Sequence, residues 1–154
     1  MSIEEDIIQS KWSSEYSKAV VNLLFTSNWV NERQYKLFKP YELTLPQYNV
    51  LRILRGQYPK PSTVNLIIER MLDRMSNASR IVDKLEKKEL VVRSQCKNDR
   101  RAVDVTISKK GLELLEQIDK ALETWEETIQ NLTEEECIQL NGLLDKFRKP
   151  PVVD

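Results

Sequence analysis

A strand-like repeat occupies residues 90–107, inside a chain whose apolar residues otherwise recur at helical spacing. "LVVRSQ" and "AVDVTI" are rich in β-branched residues, and in the second Val103, Val105 and Ile107 alternate with Ala102, Asp104 and Thr106. The short polar run "CKNDRR" separates them, so the pattern predicts a β-hairpin with its tip near residues 96–101. With three glycines in the chain, helices are favoured over a turn-rich β-sandwich. The expected class is mainly α with a small β-hairpin.

The helical segments come in a defined order. Residues 4–37 read as one long helix, with Ile7, Ile8, Trp12, Tyr16, Val20, Leu23, Leu24 and Trp29 at helical spacing and no proline before Pro40. Its apolar face exceeds what a small core covers, so part of it is expected against a partner chain. A second helix starts in "ELTLPQYNVLRILRG", where Thr44 and Gln47 have capping-box spacing, Pro46 fits the first turn and Gly56 helps end the helix. After the proline-interrupted "YPKPSTV" comes a short helix, "NLIIERML", with Asn65 as the expected N-cap. The turn-like "DRM" leads into "SNASRIVDKLEKKE", whose apolar stripe is Ile81, Val82 and Leu85. Ser108 is placed to cap a long helix after the hairpin, and Thr133 with Glu136 forms a second capping box before the last helix.

The zero formal net charge conceals an asymmetry. Residues 1–50 carry a net −1, residues 51–110 a net +8 and residues 111–154 a net −7. A basic middle third is the electrostatic footprint of nucleic-acid binding, although a charge run by itself is usually only a solvated surface. Small polar residues and an arginine at the start of a helix suit the major groove, since hydroxyls and amides reach phosphates or base edges and arginine pairs with guanine. Ser76, Asn77, Ser79 and Arg80 are that set, and helix, short turn, polar-tipped helix is the helix-turn-helix pattern.

Other chemistries find little support. The chain has no histidine, so Ser–His and Cys–His nucleophile pairs cannot be built, and the three glycines stand apart rather than in a phosphate loop. Cys96 and Cys137 lie far apart with no CxxC, so neither a metal site nor a disulfide framework is expected. No enzyme activity, cofactor or metal is therefore expected. An acidic, polar N-terminus and the absence of a long apolar run predict no signal peptide and no membrane association, with the cytoplasm as the location.

Taken together, the chain resembles the MarR family of bacterial transcription regulators over most of its length, most closely from Leu43 to Leu115. "LTLPQYNVLRIL" resembles the helix leading into the family's DNA-binding lobe, "SNASRIVDKLEKKELVVR" its recognition helix and first wing strand, and "DRRAVDVTISKKG" its wing signature. Two departures stand out. Glu89 occupies a turn where the family often has glycine, implying strain or a different shape, and Ser108 replaces the commoner threonine cap.

The resemblance implies a winged helix-turn-helix at residues 41–110, an N-terminal dimerisation helix at 1–40 and C-terminal dimerisation helices at 111–154. It implies a homodimer binding double-stranded DNA at a near-palindromic operator, with recognition helices in successive major grooves and wings in the flanking minor grooves. Ser76, Asn77, Ser79 and Arg80 are then groove and phosphate contacts, and Arg100 and Arg101 are wing candidates for a narrow minor groove. Lys97 and Asn98 add backbone contacts, while Asp99 braces the wing, since an acid repels phosphate. Small aromatic or phenolic effectors are implied in a cleft between the dimerisation region and the DNA-binding lobe, with Trp12, Tyr16, Tyr41 and Tyr48 as candidate lining. Ordinary core packing is the preferred reading for each of those four rings. The peroxide-sensing branch of the family uses an N-terminal cysteine, which residues 1–50 lack, so Cys96 beside the basic loop is a weak redox candidate. The competing class is a winged-helix protein-interaction module without DNA binding.

Overall fold

The structure, a computed structural model, describes residues 2–95, 103–127 and 131–150. It comprises two compact units, residues 1–118 and 119–154.

The first unit opens with a one-turn helix α1 (Ile3–Asp6) and a separate long helix α2 (Glu15–Phe38). The single helix expected over 4–37 is thus broken. Ile8 has a left-handed φ of 55°, and Ser14 starts α2 afresh by accepting a hydrogen bond from Ser17 N. A 3₁₀ turn (Lys39–Tyr41) carries Pro40 and leads to α3 (Leu45–Gln57). Here the capping box is complete: Gln47 N donates to Thr44 Oγ1 at 3.4 Å and Thr44 N donates to Gln47 Oε1 at 3.1 Å. Gly56 lies within the last turn. The helix stops at Tyr58, which precedes Pro59 and is therefore disfavoured in the α region.

Strand β1 (Ser62–Thr63) and α4 (Val64–Arg70) follow. Thr63, not Asn65, caps α4 by accepting from Leu66 N at 3.2 Å, because the strand delivers extended backbone two residues earlier than expected. The helix also ends before Met71, so the turn into α5 (Ala78–Lys87) is longer than "DRM" alone. Strands β2 (Val91–Gln95) and β3 (Val103–Ile107) pair antiparallel, Val91 opposite Ile107 and Gln95 opposite Val103. On its other edge β3 takes β1, Ser62 opposite Val105, so the expected hairpin sits in a three-stranded sheet ordered β1-β3-β2.

The core of this unit joins Phe38 of α2, Val50, Leu51 and Leu54 of α3, Ile67 of α4, Val82 and Leu85 of α5, Val105 of β3 and Leu115 and Ile118 of helix α6 (Lys109–Glu127), all essentially solvent-free. Gly111 marks where α6 meets the sheet: a Cβ there would stand 2.4 Å from the Leu90 carbonyl oxygen and 2.8 Å from Ile107 Cγ1. Glycine is the residue that permits this approach.

The second unit holds the end of α6 and helix α7 (Glu134–Phe147). The second expected capping box is present, with Glu136 N donating to Thr133 Oγ1 and Thr133 N donating to Glu136 Oε2. No residue of α7 is buried.

Candidate nucleic-acid interface

Helix α5 sorts its residues into three faces of matching period. Ala78, Val82 and Leu85 (i, i+4, i+7) are buried; Ala78 takes the inward place expected of Ile81, which is only half-buried. Ser79, Asp83 and Glu86 form a second face, closed by Arg93 of β2. The Arg93 guanidinium donates to Ser79 O at 3.3 Å and to the Asp83 carboxylate, and its Nε lies 3.4 Å from Glu86. Arg80, Lys84 and Lys87 form the third face, exposed and without an ion pair among the described residues.

That partition has an electrostatic consequence. Two carboxylates of α5 would repel a phosphate backbone, and Arg93 engages both, leaving a uniformly basic face open. Sequence inspection did not single out Arg93, because only the fold brings the strand arginine against acids 7 and 10 residues earlier. The spacing of Asp83 and Glu86 on one helix face was the available signal.

The reading end of α5 is organised by its cap. Asn77 Oδ1 accepts from Arg80 N at 3.0 Å, which spends the amide oxygen inward and leaves the amide NH₂ outward-capable. Ser76 Oγ donates to Asp73 Oδ2 at 2.6 Å and Met75 N donates to Asp73 Oδ1 at 2.9 Å. The Ser76 hydroxyl and then the Met75 amide hold the Asp73 carboxyl below its usual range. Ser76, Asn77 and Arg80 come together with Thr44, Gln47 and Lys84 around a groove of about 330 Å³. Ser79 does not line this groove; it is exposed on the face held by Arg93.

Behind α5, the Glu89 turn is left-handed, φ 62°, the conformation in which glycine is at no disadvantage. It is tied to α6 by three contacts: Ser108 Oγ donates to Glu89 O at 2.7 Å, Ser108 N to Leu90 O at 3.0 Å and Lys110 Nζ to Glu89 Oε2 at 2.9 Å. Ser108 also caps α6, accepting from Gly111 N at 3.0 Å.

Comparison with known proteins agrees with this layout. The MarR family model matches residues 43–103. Over 119 residues the chain is 33% identical to the HTH-type transcriptional regulator MhqR of Bacillus subtilis (strain 168), covering 76% of this chain and 80% of that protein. The chain belongs to the MarR family. MarR proteins are DNA-binding transcription regulators, not enzymes, and the mainly helical fold with its small antiparallel sheet is theirs. Among solved structures, the organohalide-sensing transcriptional regulator RdhR in its 2,4-dichlorophenol-bound form superposes with a TM-score of 0.79 at 19% identity, covering 91% of this chain and 85% of that one. The S. aureus MepR–DNA complex superposes with a TM-score of 0.73 at 22% identity, covering 89% and 96%. At such identities the likeness speaks for the fold.

Other residues that the MarR resemblance nominated fall differently. Lys97, Asn98, Asp99, Arg100 and Arg101 of the wing tip, and Cys96 beside them, lie outside the described residues. The four candidate effector aromatics do not converge: Tyr48 is buried and stacked on Phe38 with ring centroids 4.3 Å apart, Tyr16 is 85% exposed, and Trp12 and Tyr41 are half-buried. None of them lines a cavity of about 470 Å³ between α2, the start of α3 and the turn before α5. Its aromatic wall is Tyr35, which sequence inspection passed over. Among the described residues no cluster able to hold a metal ion occurs, and no helix is long and apolar enough to cross a membrane.

Proposed function

We propose that this MarR-family chain is a homodimeric, ligand-responsive repressor that reads a near-palindromic operator. The observation that carries the DNA half is the α5 partition: Arg80, Lys84 and Lys87 stand unpaired among the described residues on an exposed face, while the acids of the same helix are engaged by Arg93. With Ser76, Asn77 and Ser79 at its leading turn, α5 enters the major groove, and Lys97, Asn98, Arg100 and Arg101 reach the backbone and minor groove with Asp99 bracing them. The S. aureus MepR–DNA complex supports this reading by fold.

Dimerisation rests on unpartnered apolar surface. Val20, Leu23, Leu24 and Phe25 of α2 and Ile138, Leu140, Leu143 and Phe147 of α7 are all exposed in the single chain. Residues 1–40 and 111–154 therefore supply the interface, and 41–110 the DNA-binding lobe. Two-fold symmetry then matches half-sites about one helical turn apart. Ligand response rests on the 470 Å³ cavity, a size typical of small-molecule sites, and on the dichlorophenol-bound form of the structurally similar RdhR. A regulator of this kind works in the cytoplasm, beside the chromosome.

Selection from random double-stranded oligonucleotides tests the class. Enrichment of an inverted repeat, bound with steep salt dependence, is the expected result. Failure to enrich any sequence would favour the protein-interaction module instead.

A further inference from the structure

Resting on the ligand-responsive reading, we propose that Asp73 is the positioning residue that joins the cavity to the reading end of α5. We further infer that it selects an uncharged, hydrogen-bond-donating, single-ring molecule over an aromatic carboxylate.

The cavity is walled by apolar surface from Tyr35, Pro46 and Leu72, with Asn31 and Asn49 as neutral polar groups. Neither lysine nor arginine lines it, and Asp73 is the single charged residue in its lining. An aromatic carboxylate entering here would lose hydration, find no cation and face an anion. An uncharged donor would find an acceptor. Asp73 already accepts from Ser76 Oγ and Met75 N, and Ser76 directly precedes Asn77, the cap of α5.

The turn before α5 hangs on two side chains, and both line the cavity. Asn49 Oδ1 accepts from Leu72 N at 3.0 Å, and Asp73 holds Met75 and Ser76. A ligand hydroxyl drawn to Asp73 competes with the Ser76 hydroxyl for the same oxygens, so occupation of the cavity loosens the segment that places Ser76, Asn77 and Arg80. DNA affinity then falls on ligand binding, and by linkage ligand affinity falls on DNA binding.

The test uses the full chain near neutral pH, with phenol and 4-chlorophenol as uncharged probes and benzoate and 4-chlorobenzoate as anions. Ligand binding is read by calorimetry and operator binding by fluorescence anisotropy. The phenols should bind and weaken operator affinity about five- to tenfold, while the benzoates do neither. Asp73→Asn, nearly isosteric, should let the benzoates bind and should shrink the phenol effect on DNA. Leu72→Arg alters an exposed cavity residue and leaves both Asp73 tethers in place; it should raise benzoate affinity about tenfold, a readout that stands even where Asp73→Asn fails to fold. Benzoates binding the unmodified protein as well as the phenols would overturn the proposal while leaving ligand response intact. So would an Asp73→Asn protein with unchanged preference and coupling, or a Leu72→Arg protein that gains nothing. Failure of both probe classes to bind the unmodified protein would remove the ligand-responsive reading and the proposal with it.

Discussion

Helices α5 and α7 are both short, amphipathic and capped at the N-terminus by a side-chain oxygen, yet their apolar residues meet opposite fates. In ten residues α5 buries Ala78, Val82 and Leu85 against its own chain. In fourteen residues α7 buries none, and Ile138, Leu143 and Phe147 are each more than half exposed. The first helix is therefore fixed from within, which frees its basic face to meet a partner of opposite charge without losing its place. The second leaves Leu140, Leu143, Leu144 and Phe147, at i, i+3, i+4 and i+7, as an unburied stripe, the one that the proposed dimer would cover. Recognition needs a helix whose stability is already settled; association needs one whose stability is not.

The comparison breaks most readily at Leu85. Leu85→Ala removes a fully buried side chain that anchors α5 to the core and should cost about 2–5 kcal/mol in urea unfolding. A cost below about 0.5 kcal/mol, ordinary for a surface position, would mean that α5 is not internally fixed. The counterpart on α7 is Leu143→Glu, at a 64% exposed position. Helical content should persist by circular dichroism, while the dimer dissociation constant rises by about thirtyfold, the size of an interface hot spot. Unchanged mass by light scattering at micromolar concentration would move the interface elsewhere.

A finer test divides α5 itself. Arg80→Ala, on the open basic face, should weaken operator binding by about 1–3 kcal/mol, and Ser79→Ala, on the face closed by Arg93, by less. Equal losses would dissolve the partition. How much of that partition was legible beforehand depends on range along the chain. Thr44 with Gln47, Thr133 with Glu136, and the alternation of Val103, Val105 and Ile107 are local patterns, and each became the expected element. The break between α1 and α2 is not legible because Ile8, Trp12 and Tyr16 fall at i, i+4 and i+8 although no helix joins them, and no glycine or proline marks the gap. Strand β1 is defined by partners in β3 more than 40 residues away, and with it the Thr63 cap of α4. The Arg93 contacts and the Asn49–Leu72 tether are likewise products of tertiary approach, invisible to periodicity.

The smallest expected effect lies in the turn that ends α5. Glu89 adopts a left-handed backbone where its Cβ is a steric cost that glycine does not bear, and Lys110 partly offsets that cost by an ion pair at the surface. Because exposed pairs are screened, the backbone should prevail, and Glu89→Gly should raise the melting temperature by about 2–4 °C. Glycine's greater freedom in the unfolded chain subtracts from this gain without cancelling it. The pH dependence carries its own sign. Lys110, through its hydrogen bond and then its charge, holds the Glu89 carboxyl below the usual carboxylate range. The pair's contribution is therefore present above the unfolded-state value and lost as pH falls through the lower folded-state value. Acid removes the ion-pair advantage that glutamate has over glycine, so the gap in melting temperature should widen as pH drops through that window, and added salt should widen it too. A glycine variant that melts lower at every pH would show that side-chain contacts, rather than backbone strain, decide how this turn delivers α5 to the wing.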